Sequence, residues 1–334
     1  MAKRKAISLM SGGLDSTLAT KIILDQGIEV IGLFLESPFG CKEEVQEVAK
    51  HLGIQLRIVD KGMAFVELIR NPKYGYGKNI NPCIDCRIYM FNIAQMIMEE
   101  EGADFIITGE VLGQRPMSQR RDAMDIIDRD SETEGLILRP LSAKHNPPTL
   151  AETEGWVNRD KLLDIQGRGR SEQLKWAESL QLKSYMPPGG GCLLTDVNFS
   201  ARLRQFLETH ADPTMTEVRL LRYGRHIDLS DGSHLVIGRD AEENEHLQTI
   251  SKDEVTEGKM TLLRPYFSGP MAVLSRENTP DTAILDEAAG LIAKYAKKGL
   301  IDAQIIEVKC GETSSHITVQ FPPTAQTEAL PVLH

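Results

Sequence analysis

The chain has 334 residues, enough for two cores, and its 41% hydrophobic and 26% charged content is that of a soluble globular protein. A net charge of −10 excludes a protein that coats nucleic acid through bulk charge, and 5% aromatics exclude extensive base stacking. A local basic groove stays open, because fields act over roughly 8–10 Å in salt.

The start MAKRK is basic, but only AISLM follows before the polar Ser11-Gly12-Gly13. That is short of the roughly 7–15 apolar residues of a signal core, so a cytoplasmic location without membrane contact is expected. Five cysteines, Cys41, Cys83, Cys86, Cys192 and Cys310, are an odd count for a reducing compartment and point to metal binding or thiol chemistry rather than a disulfide framework.

Taken in order, KAISLM predicts a strand that leads into a helix from about Asp15 to Gln26. IEVIGLFLE reads as a strand, CKEEVQEVAKHLG as an amphipathic helix ending on Gly53, IQLRIVD as a third strand, and MAFVELIRN as a helix stopped by Asn71-Pro72. CRIYMFNIAQMIMEEEGA is a long helix, DFIITGE a buried strand and LILRPL a further short one. This alternation predicts an α/β domain, a parallel sheet with helices on both faces. Ligands bind such sheets at the carboxyl ends of the strands, where Ser11–Ser16, Thr108–Gln114 and Arg139–Lys144 fall.

From about Asn146 to Met186 the texture turns to Pro, Gly and charge, with one helix near SEQLKWAESL. Beyond Phe199 the pattern predicts a smaller α+β domain: helix ARLRQFLETH, strands VRLLRYG, HLVIG, MTLLRP and MAVLS, helix DTAILDEAAGLIAKYAKK, then strands AQIIEVK and SHITVQF. The boundary is placed at 198, giving domains 1–198 and 199–334. Lys and Arg number 24 against 28 Asp and Glu before residue 199, and 14 against 20 after it, so a nucleic-acid site must be a patch.

SGGLDS between a strand and a helix offers free backbone N–H groups, glycines that let a polyanion approach, and the hydroxyls of Ser11 and Ser16. It lacks the Lys of a Walker A loop and the spacing of G-x-G-x-x-G. Asp15 would repel phosphate unless it binds Mg²⁺ or orients the helix start. A plain glycine turn with a Ser or Asp cap is the competing reading.

Cys83 and Cys86 form a Cys-x-x-Cys at a helix N-terminus, where the dipole is expected to lower thiol pKa, and Cys192 follows the run PPGGG. Three thiolates can hold a [4Fe–4S] cluster with one iron open. Zinc would need a fourth ligand. A persulfide relay between Cys86 and Cys192 is the third option. Cys310 reads as a structural thiol, and Cys41 as ambiguous.

The SGGLDS segment resembles the PP-loop of the ATP pyrophosphatase superfamily, whose members split ATP between the α and β phosphates. No glutaminase-type domain accompanies it, which argues against an amide ligase. TGEVLGQRPMSQR (Thr108–Arg120) resembles the Thr-Gly-x-x-x-Gly-Gln stretch of tRNA 4-thiouridine synthetases, and LRPLSAK (Leu138–Lys144) their Arg-Pro-Leu segment. The cysteine set resembles that of cluster-dependent tRNA thiolation enzymes. RYGRHIDLSDGSHLVIGRDAEENEHL (Arg222–Leu247) resembles the NFACT-R module, which implies RNA association for the second domain beside a structural or dimerisation role.

These resemblances imply an ATP-dependent tRNA uridine sulfurtransferase. Ser11, Gly12, Gly13 and Ser16 would bind phosphate, with Asp15 on Mg²⁺ or shaping the loop. Thr108, Gly109 and Gln114 would line the nucleotide pocket, and Asp15, Cys86, Cys192 and Lys144 would carry the chemistry. Cys83, Cys86 and Cys192 would hold the cluster. Expected partners are tRNA and a sulfur donor, sulfide or a cysteine desulfurase, with a second copy of the chain as a further candidate. A PP-loop thiolase or ligase acting on a small molecule, and a non-catalytic nucleotide- or cluster-binding protein that engages RNA, are the rival readings. Among the basic residues, Arg139 and Lys144 are candidates to neutralise phosphate, Arg87 to face ATP, and Arg120, Arg121, Arg168 and Arg170 to touch RNA, each beside a plain surface reading. His226 and His234 read as ordinary histidines of a β-domain.

Overall fold

A computed structural model describes residues 4–40, 43–182, 185, 192–275, 280–296 and 302–321. Cys41 lies outside them. The chain divides into two compact units, Met1–Glu208 and Thr209–His334.

The first unit contains β1 (Lys5–Leu9), α1 (Leu14–Leu24), β2 (Glu29–Glu36), α2 (Glu43–Leu52), β3 (Gln55–Asp60), α3 (Gly62–Arg70) and α4 (Cys83–Glu100). β4 (Phe105–Thr108), α5 (Arg121–Asp130), β5 (Ile137–Leu138), α6 (Leu150–Thr153), α7 (Ser171–Ser179) and α8 (Val197–Thr209) follow. The strands form a parallel sheet in the order β3-β2-β1-β4-β5. Its apolar strand runs bury both faces, as parallel sheets require. Ile7, Leu9, Ile31, Leu33 and Ile106 pack beneath α4 and α5 through Phe91, Ala94 and Ile127. Ala6, Val30, Phe105 and Ile107 face α1 and α7 through Leu18, Ile22 and Ala177. Chain order reverses between β1 and β4, so the loops after these two strands flank the switch point where such sheets take ligands.

α5 lies in a stretch whose charges mask its period: only Ala123, Met124 and Ile127 on its inner face are buried. The units part beyond the expected residue 198, because α8 is tied into the first unit at its start. Asp196 Oδ1 accepts from Phe199 N at 2.8 Å, Ser200 Oγ donates to Leu194 O at 2.8 Å, and Phe199 sets its ring edge against Phe39 at 5.0 Å.

The second unit holds α9 (Met215–Leu220), β6 (Arg225–Asp228), β7 (His234–Ile237), α10 (Ala241–Thr256), β8 (Met260–Pro265), β9 (Ala272–Ser275), α11 (Thr282–Lys294), β10 (Ala303–Cys310) and β11 (Thr313–Gln320). Six antiparallel strands run in the order β11-β10-β8-β9-β7-β6. Period-2 alternation sorts the faces: Val236, Leu262 and Val273 meet α9 and α10 through Leu220, Leu247 and Val255. Leu235, Leu263 and Leu274 meet Ile284, Ala288 and Ile292 of α11. The expected strand over VRLLRYG is absent: residues 218–220 end a helix and those up to Gly224 form a turn. Thr214 and Glu217 form a capping box at the start of that helix, and its apolar residues Val218 and Leu220 are buried.

At the carboxyl end of β5 a buried ion network closes the sheet edge. Arg139, 5% exposed, donates through Nη1 and Nη2 to both Asp128 oxygens at 2.8 and 2.6 Å, and through Nε to Glu110 at 3.1 Å. Burial works against its charge, but the Asp128 hydrogen bonds and the Glu110 charge hold the guanidinium above its usual range. Arg139 is therefore neither a phosphate ligand nor a surface residue. Removing it strands two carboxylates: Arg139→Ala should cost about 3–5 kcal/mol in urea unfolding, and a loss below about 1 kcal/mol would contradict the network.

Candidate active site

The loop after β1 is built to leave donors open. Gly12 sits at φ 74° and Gly13 starts α1 without any side-chain cap. Ser16 Oγ and Thr17 Oγ1 instead donate back to Gly13 O at 3.0 and 2.9 Å, while Ser16 Oγ accepts from Ser11 N at 3.2 Å. The first turn of α1 thus offers uncapped N–H groups flanked by two hydroxyls, a suitable lining for phosphate oxygens.

Thr108, 3% exposed, pairs in register with Leu9, which sets the loop after β4 beside the loop after β1. Gly109 is there for closeness. A Cβ at that position would lie 2.5 Å from Asp15 C and Ser16 N, so only glycine lets the two backbones meet. Farther along, Gln114 Nε2 donates to Asp15 Oδ2 at 2.8 Å, Arg170 pairs with the same oxygen at 3.5 Å, and Gln173 Nε2 donates to Gln114 Oε1 at 3.2 Å. The other oxygen, Asp15 Oδ1, is buried with no hydrogen-bond partner. An orphaned carboxylate oxygen beside phosphate donors has the chemistry of a Mg²⁺ ligand.

The cysteines converge from two segments. Cys83 and Cys86 begin α4, whose first turn is fixed by Asp85, 7% exposed, accepting from the N–H groups of Lys73 and Tyr74 at 2.8 and 3.1 Å. Cys192 opens the turn Leu193–Thr195, and Asn79 Nδ2 donates to Thr195 O at 2.7 Å, which ties that turn to the loop ahead of Cys83. Cys83 lies in the field of Cys86 and Cys192, and Cys192 in that of Cys86. Two cations face the set. Lys61, 6% exposed, reaches Cys86 Sγ at 3.5 Å and acts on Cys192, and Arg115 acts on both Cys83 and Cys192.

Arg115 also feels Asp15, Arg87 and Arg170. Although Arg115 is exposed as a residue, desolvation and those two guanidiniums pull it below its usual range, against Asp15 and Cys83. One side chain therefore lies within electrostatic reach of both the phosphate loop and the thiols.

The helix dipole does not decide the Cys83 thiol. Burial pushes it up, the neighbouring Cys86 and Cys192 add to this, and Arg87 and Arg115 oppose. Cys192 is exposed as a residue, but desolvation still pushes its thiol up against the Leu194 backbone hydrogen bond. The three thiols are not among the groups whose ligand atoms all lie within 4.8 Å of one another. Zinc–sulfur bonds of about 2.3 Å would hold sulfurs about 3.8 Å apart, so a single-ion site is not preformed, whereas a larger cluster needs a wider triangle.

Other candidates stand elsewhere. Lys144 is exposed on the short turn Ala143–His145, and among the described residues no hydrogen bond or ion pair ties it to the loop. Arg87 pairs inward with Glu110 at 3.4 Å rather than lying on the helix surface. Arg121 holds Asn146 at 2.7 Å, Arg120 pairs with Asp122 at 2.9 Å, and Arg168 is exposed. Arg170 belongs to the Asp15 group, so it does not serve as a free arm for RNA. Arg115, Lys61, Asn79 and Gln173 were not singled out from sequence. Only Arg115, next to Gln114 in the GQRP run, carried any signal.

Residues 1–146 match the family model described as thiamine biosynthesis protein (ThiI), and residues 224–330 match that of the NFACT protein RNA binding domain. The first match contains the loop, Cys83, Cys86, Thr108, Gly109 and Gln114, and stops before Arg170 and Cys192. The chain is 34% identical over 118 residues to a tRNA-specific 2-thiouridylase MnmA of a Nitratiruptor species, covering 32% of this chain and 34% of that protein. It is 28% identical over 120 residues to a probable tRNA sulfurtransferase of Methanothermobacter thermautotrophicus, covering 33% and 30%. It thus spans about a third of the length of these relatives. A solved 4-thiouridine synthetase–RNA complex with bound ATP aligns at 20% identity and a TM-score of 0.34, over 65% of this chain and 52% of that one. No described helix is long and apolar enough to cross a membrane.

Two outcomes follow from this geometry. Gly109→Ala should push α1 away from β4 and destabilise the first unit by about 1–3 kcal/mol in denaturant melts; an unchanged midpoint would refute the close approach. Alkylation needs the thiolate, so with free thiols Cys83 and Cys192 should react with iodoacetamide at half-maximal rate only above the ordinary cysteine value of about 8.5. Peptide mass spectrometry across a pH series reads this, and a half-maximum clearly below that ordinary value at Cys83 would reverse the assignment.

Proposed function

We propose that the chain is an ATP-dependent tRNA uridine sulfurtransferase. The reading rests on one observation above all: Arg115 lies within electrostatic reach of both Asp15 of the phosphate loop and the thiols of Cys83 and Cys192, which supports nucleotide activation and sulfur delivery at one site. The match of residues 1–146 to the ThiI model and the similarity to tRNA thiolation enzymes supply the acceptor class.

In the proposed reaction a uracil carbonyl oxygen attacks the α-phosphorus of ATP, the bond to the β-phosphate oxygen breaks, and pyrophosphate leaves. The N–H groups at the start of α1, with Ser11 and Ser16, hold the charge that develops on the leaving group. Asp15 is the residue that would hold Mg²⁺, through its unpaired oxygen, to offset charge on the phosphates, while Gln114 and Arg170 fix its other oxygen. A sulfide nucleophile then adds at the activated base carbon, and AMP leaves with the original oxygen. Lys61 and Arg115 offset negative charge on the sulfur side.

Cys83, Cys86 and Cys192 are the residues that would hold a [4Fe–4S] cluster. Three thiolates leave one iron of such a cluster without a protein ligand, a place to present sulfide. Sulfide itself or a cysteine desulfurase is the proposed donor. The second unit, residues 209–334, is assigned to RNA contact on its match to an RNA-binding model.

The test is anaerobic reconstitution with iron and sulfide, then ATP, Mg²⁺ and bulk tRNA, with thionucleosides read by mass spectrometry. Thiouridine should appear with equal AMP and pyrophosphate. Asp15→Asn should lower the rate by about 10²–10³-fold. Cys192→Ala should end sulfur insertion while leaving ATP–pyrophosphate exchange. Cys83→Ala should also end insertion if a cluster acts, but not if Cys86 and Cys192 work as a two-cysteine relay. ATP consumption with no thionucleoside would sink the tRNA assignment and leave a small-molecule acceptor.

A further inference from the structure

The second unit carries a cluster that the proposed chemistry does not use. Asp228 ends β6 and His234 begins β7, and the two are direct cross-strand partners. Their side chains meet, His234 Nδ1 lying 2.6 Å from Asp228 Oδ1. His210, ahead of α9, sets its ring edgewise to His234 with centroids 5.4 Å apart. One ring nitrogen from each histidine and a carboxylate oxygen of Asp228 all fall within 4.8 Å of one another.

Behind this triangle lies a second ring. His226 Nδ1 is 2.9 Å from His234 Nε2, and His226 Nε2 is 2.8 Å from Tyr223 O. The carbonyl can only accept, so His226 Nε2 carries a hydrogen and, in the neutral ring, Nδ1 accepts one from His234 Nε2. His234 then presents a lone pair at Nδ1, aimed at a carboxylate that also only accepts. Two neutral rings carry two N–H groups, and the chain contains three contacts. An imidazolium proton or a metal cation between Nδ1 and the carboxylate completes it.

We propose that His210, Asp228 and His234 form a binding site for a divalent transition-metal ion of the Zn²⁺ class, with His226 as the positioning residue that fixes the His234 tautomer. Two imidazoles and a carboxylate suit Zn²⁺, Co²⁺ or Ni²⁺ rather than Ca²⁺ or Mg²⁺, which prefer oxygen alone. Bonds of about 2.0–2.1 Å would set neighbouring ligand atoms about 3.3 Å apart, within the 4.8 Å that bounds the three atoms, once the 2.6 Å His234–Asp228 contact opens. The outward hydrogen bond from the second nitrogen of His234 to His226 is the usual support for a ligating histidine. Asp228 is exposed and His210 half-buried, so an ion can enter from solvent. The site would clip the segment ahead of α9 to the β6–β7 hairpin at the edge of the sheet.

The experiment uses the full chain stripped with chelator and titrated with Co²⁺, whose spectrum separates ligand types. Ligation by nitrogen and oxygen gives visible d–d bands without the near-ultraviolet sulfur-to-cobalt charge transfer that the cysteines would add. One equivalent should bind with the nitrogen–oxygen spectrum, and Zn²⁺ should displace it and raise the thermal midpoint. His210→Ala and Asp228→Asn should each weaken binding at least about tenfold and remove the Zn²⁺-dependent rise in midpoint. Asp228→Asn offers an amide N–H to the His234 Nδ1 lone pair, so it serves if His210→Ala does not fold by circular dichroism. Unchanged affinity in either folded variant, or a spectrum carrying thiolate bands alone, overturns the site.

Discussion

The missing side chain at Gly109 is the constraint on which the first unit's site depends. A Cβ there would lie 2.5 Å from the backbone of Asp15 and Ser16, so the loop after β4 rests directly on the first turn of α1. From that contact the rest follows in order. Gln114 reaches Asp15, Gln173 steadies Gln114, and Arg170 arrives at the same carboxylate. The parallel register Leu9↔Thr108 delivers both loops to the same edge, but glycine lets them touch. A sheet switch point is a general place for a ligand; this close approach turns it into a particular one.

Electrostatics then divides the arginines by depth. Arg139 is consumed by Glu110 and Asp128 and acts as a rivet at the sheet edge. Arg87 takes the remaining oxygen of Glu110 at 3.4 Å, which points it away from the helix surface. Arg115 and Arg170 are left around Asp15, where desolvation and the guanidiniums of Arg87 and Arg170 hold Arg115 below its usual range. A chain with a net charge of −10 thus still gathers cations at this site, while acids such as Glu110 and Asp128 are taken up by internal arginines. Its field is short-ranged in salt, but a triphosphate in contact with the site lies well within that range.

The fold was legible where the hydrophobic period was clean. The runs KAISLM, IEVIGLFLE and DFIITGE read as strands and are strands, because burial on both faces leaves only apolar residues to see. VRLLRYG has the composition of a strand, yet the capping box of Thr214 and Glu217 begins a helix there, and a local hydrogen-bond signal outweighed β-propensity. α5 leaves little trace in the sequence because three buried apolar residues on one face are diluted by charges on the other. At the site, the loop serines, glycines and Asp15 were legible because their spacing is local. Lys61, Asn79 and Arg115 were not, since each matters only through a partner that the fold brings from a distant segment: Lys61 at Cys86, Asn79 at Thr195, Arg115 beside Cys83.

The same reasoning explains why His226 and His234 read as ordinary. They lie eight residues apart with a turn between them, and nothing in the spacing resembles a ligand motif. Antiparallel pairing sets His234 opposite Asp228, and the two rings then meet across the hairpin. With His226 Nε2 donating to a backbone carbonyl, two neutral rings would turn a His234 lone pair toward the Asp228 carboxylate. Sequence proximity would have suggested two independent histidines. Strand register makes them one hydrogen-bonded unit whose outer end faces His210 and Asp228, a grouping that no sequence motif announces.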